Sequence, residues 1–253
     1  MINTNGDLQS IIQEIKILIE PIVIKKEAQN INFPVEFTFF HVLERAYVNM
    51  ISLRLLVGDS LINHDHAIGL ICRNLLTDFI TTGHIIRNVN SNEESYQNLY
   101  SLHYSDIKKI DSLIKMYKKY KVINEIEFSK IKEKIDNESN IYKIVKDYAI
   151  EYKLKTFPGT REIIEKFLST NLSDIWVQEI KNSYDTWLFY SKYEHLGWFS
   201  YELTRDIGSA AIKKRIMMVL RCTTIMIGSC LEILNEKEMM KRSIVIYEKL
   251  YNS

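Results

Sequence analysis

Residues 216–234 read IMMVLRCTTIMIGSCLEIL, and whether this stretch spans a membrane or forms a core helix decides the fold. Arg221 and Glu232 lie inside it, each costly in hydrocarbon, and it falls short of the roughly 18 uncharged residues that a span needs. A buried helix of a packed bundle is therefore expected, with no membrane as partner. Arg221 and Glu232 share a helix face, so they are expected to pair with each other's neighbours or with carboxylates of a packed helix.

Composition extends that reading to the whole chain. Among 253 residues there are only eight Gly and three Pro, too few turn signals for many short strands. The fold class expected is all-α, a bundle of long helices, and the length permits one domain spanning 1–253 with a large core. Formal charge is +1, from 33 basic and 32 acidic side chains, so no global field draws in nucleic acid or an acidic surface. Three cysteines, Cys72, Cys222 and Cys230, sit in apolar helical stretches without CxxC spacing, which fits a reducing, cytoplasmic setting. The amino-terminal MINTNGDLQ lacks the pattern of a signal peptide.

Apolar spacing predicts a first helix through Leu8, Ile12, Ile15 and Ile19, capped by Asp7 and kinked or ended by Pro21. Further helices are expected at about 37–57, 65–88, 208–234 and 236–251, with a short one from Thr160, as cap, to Phe167. From residue 93 to 155 the composition turns to Lys, Tyr, Glu and Asn with amphipathic spacing, a lysine-rich helical hairpin expected to protrude. Its six lysines between 106 and 121 read either as a solvated face or as a phosphate-binding patch.

Two helices carry the candidate chemistry. On the helix at 65–88, His66, Arg73, Asn74, Thr77, Asp78, Thr81 and His84 fall in one sector of about 140° on a wheel of 100° per residue. A chain this rich in Lys and Glu places neither between Asp65 and Arg87, and short hydrogen-bonding residues suit a packed network or a site wall better than a solvated surface. YDTWLFYSKYEHLGWFSYEL, residues 184–203, lies mostly in a long aromatic helix expected to begin at Ser173 or Asp174, and aligns Tyr184, Trp187, Ser191, His195, Trp198 and Glu202 on one stripe. Ser191 and His195 are neighbours on it, yet no GxSxG elbow or strand exists to make a serine hydrolase. His64, Asp65 and His66 lack metal-site spacing; Asp65 is read as a helix cap, and no metal or cofactor is expected.

ICRNLLTDFITTGHI, FPGTREIIEKF and YDTWLFYSKYEHLGW together resemble bacterial all-α proteins similar to the HEPN (higher eukaryotes and prokaryotes nucleotide-binding) class. The resemblance covers about residues 62–234. It implies a HEPN-like bundle, a homodimer, and a polar pocket where an arginine helix meets a histidine helix. Many such proteins are metal-independent ribonucleases in toxin, antiphage or RNA-processing systems, so RNA or a nucleotide is the implied partner. Arg73 matches the arginine of the early helix, with Asp78 near the expected acid, and Ser191 and His195 match the late helix. Arg73 and His84 stand three turns apart, so an Arg/His pair would have to form between Arg73 and His195 across helices.

Two functions remain in play. In one, Arg73, Asp78, Ser191 and His195 line a pocket for RNA or a nucleotide, His195 serving as acid/base and Arg73 stabilising phosphate charge. In the other, the same groups are a structural network in a non-catalytic module that binds a protein partner through the hairpin.

Overall fold

The computed structural model describes residues 4–25, 33–87, 91–122, 124–138, 140–170, 174–192 and 208–252. The described residues form ten helices and no strand: α1 (Thr4–Lys25), α2 (Val35–Asp59), α3 (Asp65–Ile86), α4 (Asn92–Lys119), α5 (Glu125–Glu138), α6 (Asn140–Glu151), α7 (Thr160–Ser169), α8 (Ile175–Ser191), α9 (Ser209–Ile233) and α10 (Lys237–Tyr251).

Helix α9 contains the stretch that decided the fold, and it packs against α1, α2, α3, α8 and α10. Ile212, Ile216, Val219, Leu220, Met226, Ile227 and Leu231 are buried there, which removes their apolar surface from water. Several of its polar side chains find partners inside the bundle. Thr223 and Thr224 donate to Val219 O and Leu220 O at 2.8 and 2.7 Å, one turn back. Arg221 Nη2 meets Glu179 Oε2 of α8 at 3.0 Å, so the carboxylate of a packed helix is its partner, while Glu232 is exposed. α9 is long and apolar enough to cross a membrane by composition; in this fold it is a core helix.

Several helix ends differ from expectation for local reasons. α1 continues through Pro21 to Lys25, because Leu18, Ile19 and Ile22 are buried on both sides of the proline and hold the chain against the core. Gly159 takes the N-cap position of α7, leaving Thr160 as its first residue, and His64 takes that position for α3 in place of Asp65. At α8 the expectation holds, with Asp174 accepting from Val177 N at 2.9 Å. The hairpin is three helices rather than two, its return path divided between α5 and α6. It carries a small apolar cluster of its own, Tyr100, Ile107 and Val145, with Tyr100 and Tyr148 stacked at 3.7 Å between α4 and α6.

α3 and α8 meet closely at a glycine. A Cβ on Gly83 would lie 2.7 Å from Trp176 Cε3, and that indole is 1% exposed and stacked on Phe79 at 4.6 Å. The ring has nowhere to move. Gly83→Ala is therefore expected to lower stability by about 1–3 kcal/mol through overpacking, although alanine is the better helix former by about 1 kcal/mol. A thermal melt showing no loss would mean that the two helices can part.

Candidate functional site

A cleft of about 900 Å³ opens between α2, α3, α4 and the extended strap that precedes α7. α2 presents Thr38, His41 and Arg45, whose spacing puts them on one face. α3 presents Thr77, Asp78, Thr81 and Thr82, and α4 presents His103, Ser105, Asp106, Lys108, Lys109 and Ser112. The strap closes one end with Thr156, Phe157 and Pro158; Phe157 N donates to Ser105 Oγ at 2.6 Å, tying it to α4.

Asp78 is the carboxylate of the α3 wall. Arg45 Nη2 stands 3.0 Å from Asp78 Oδ1, which favours the ionised form, yet burial outweighs it and pushes the carboxyl up to about 6. Exposure explains the imbalance: Arg45 is 61% exposed and its charge is screened by water, whereas Asp78 is 11% exposed and its Oδ2 has no hydrogen-bond partner among the described residues.

His103 is held in one tautomer. Thr38 Oγ1 lies 2.7 Å from His103 Nε2 and 2.6 Å from Pro34 O, and the carbonyl can only accept. The single threonine proton therefore goes to Pro34 O, the proton between Thr38 and His103 sits on Nε2, and Nδ1 keeps a lone pair. Burial, with His41 nearby, lowers the pKa of His103 against the opposing charge of Asp106, so the ring is neutral near pH 7. His41 Nδ1 donates to Glu44 Oε2 at 2.8 Å. Lys109 pairs with Asp106 at 3.0 Å, and Lys108 lies over the Tyr104 ring at 4.7 Å.

The residues singled out in the sequence separate in space. Asp78, Thr77 and Thr81, from the Lys- and Glu-free face of α3, line the cleft. Arg73, further back on α3, is not part of the cleft lining, and burial lowers its pKa. Trp187 Nε1 donates to Thr77 Oγ1 at 3.3 Å, so this indole of α8 reaches α3 at the residue next to Asp78. Ser191 stands one turn further along α8, where its hydroxyl donates to Leu188 O of its own helix at 2.6 Å. His195 lies outside the described residues, and with it the proposed meeting of Arg73 and His195.

Sequence reasoning missed Arg45, His41 and His103. The i, i+4 placement of His41 and Arg45 was available as a signal; the approach of α4 to α2 was not. Comparison of the chain with protein-family models, with curated proteins and with solved structures finds no match.

Proposed function

We propose that this chain is a HEPN-like bacterial protein directed at RNA or a nucleotide, that it works in the cytoplasm as a homodimer in toxin or antiphage action, and that the cleft between α2, α3 and α4 is its binding site. The observation that carries the reading is the pairing of three cations, Arg45, Lys108 and Lys109, with a hydroxyl-rich wall around Asp78. Cations neutralise phosphates, and hydroxyls donate to phosphate and ribose oxygens. Neutral His103 with a lone pair on Nδ1 supplies a base. Asp78, poised to ionise at about 6, supplies an acid over the same cleft. The family resemblance implies an acid/base role for His195, which lies outside the described residues; Arg73 and Ser191 stand off the cleft lining, so the phosphate contacts proposed here fall to Arg45, Lys108 and Lys109.

Binding of a labelled single-stranded RNA, followed by anisotropy across a salt series, tests this. Affinity is expected to fall steeply with salt, and Arg45→Ala and Lys109→Ala should each weaken binding and reduce the slope by about one. Absence of binding at low salt would end the RNA reading. His195→Ala is expected to relieve growth inhibition on overexpression; growth no better than wild type, together with uncut RNA, would count against catalysis.

A non-catalytic module is the second reading. What favours it is that Asp78 with Arg45, Thr77 with Trp187, and Thr38 with His103 are already partnered to one another, while Ile110, Leu113 and Met116 of the hairpin are exposed for a protein partner. Under it, Arg45→Ala would change stability and leave RNA untouched.

A further inference from the structure

The strap lines a second pocket as well, of about 450 Å³, against α3, α4 and α7. Its floor holds two polar atoms that the fold leaves unsatisfied: neither His84 Nδ1 nor Asn98 Nδ2 has a hydrogen-bond partner among the described residues, although both are buried. His84 is 5% exposed. Leaving such an atom unpaired costs about 1–3 kcal/mol, and these are two in one pocket. Phe157 packs edge-on to the His84 ring at 5.3 Å, fixing the imidazole in place.

The two ends of the pocket differ in charge. Burial, with Lys166 nearby, pushes His84 down to about 4 against the opposing charge of Glu94, so the floor is neutral at physiological pH. Lys155 and Lys166 line the same pocket and are exposed, with Glu162 the one acid among its lining residues. A neutral floor disfavours a buried anion, whereas exposed lysines attract one.

We infer that this pocket binds a small molecule with a neutral amide-like head, seated on Asn98 and His84, and an anionic tail, carboxylate or phosphate, facing Lys155 and Lys166. Asn98 Nδ2 donates to the carbonyl of the head, and His84 Nδ1 takes or gives the second hydrogen bond according to its tautomer. The site shares the strap residues 156–158 with the cleft between α2, α3 and α4 but contains none of that cleft's cations, Arg45, Lys108 and Lys109, and the inference does not rest on the RNA reading.

Calorimetry of the purified full chain distinguishes the outcomes. The probes are acetamide for the head alone, inorganic phosphate for the tail alone, and N-acetylglycine and N-acetylglucosamine 6-phosphate for both. At least one composite probe is expected to bind with Kd below about 1 mM, roughly tenfold or more tighter than either fragment. Binding of one composite and not the other identifies the tail as carboxylate or phosphate. His84→Phe and Asn98→Leu should each weaken that affinity by about tenfold or more while melting temperature holds or rises, because each removes an unpaired buried group. Should either variant fail to fold, Lys166→Ala, at an exposed position, must weaken binding and its salt dependence. Arg45→Ala should leave this affinity unchanged even where it weakens RNA binding. The inference is overturned if no composite outbinds its fragments, or if the folded variants bind as well as wild type, in which case His84 and Asn98 are hydrated only.

Discussion

A Glu179→Ala variant is expected to lose about 3–5 kcal/mol of stability, because it removes a buried carboxylate and strips a partly buried cation of its partner. For a chain of this size that is a fall in melting temperature of roughly 6–20 °C. Glu179 is 2% exposed and accepts from Arg221 Nη2 and from Tyr247 OH, both at 3.0 Å, joining α8 to α9 and α10. Burial and the Glu179 charge push the Tyr247 phenol upward, so it stays protonated and donates. With the carboxylate gone, a partly buried guanidinium faces the core without its counter-charge. The double variant Glu179→Leu with Arg221→Met should recover most of the loss, since an apolar pair of similar volume is often as stable as a buried ion pair. A double-mutant cycle reads this directly. A single-variant cost under about 1 kcal/mol, the range of exposed pairs, would show that water reaches the pair.

That triad also marks what the residues alone could disclose. Arg221, charged within an apolar helix, announces its need for an anion on a neighbouring element. Glu179 keeps register with Trp176, Ser183, Thr186 and Tyr190 on the buried face of α8, so its partner was legible in principle from the helical period. The cleft was half legible. Its α3 wall was readable from composition, because a face without Lys or Glu in a Lys- and Glu-rich chain is not built for solvent. Arg45 and His103 were not readable: His103 reaches Thr38 across 65 residues, and no periodicity within one helix tells which helices it meets. The strap was out of reach for the same reason, since its two cavities arise only when residues 156–158 lie between α4 and α7.

Asp78→Asn is expected to stabilise the protein at pH 7, by an amount on the order of 2–3 kcal/mol, and to leave stability at pH 4 nearly unchanged. The carboxyl ionises near its ordinary 3.8 when unfolded and at about 6 when folded, so between those values the folded chain binds the extra proton. Its contribution is therefore fully present below about pH 4 and is lost as pH rises through 6. Asparagine keeps the shape and cannot ionise, and the wild-type slope between pH 4 and 6 should flatten in the variant. Urea melts at pH 4, 5, 6 and 7 measure it. An unaltered slope would assign the titration to another group. The sign is what gives the experiment its reach, for a buried carboxylate with an unpaired oxygen costs stability and structure alone gives no reason to keep it. If Asp78→Asn is more stable and weakens the RNA binding or cleavage proposed for the wild-type chain, the carboxylate belongs to a working site; if it is more stable and loses nothing, the cleft wall is scaffold and the protein-partner reading takes precedence.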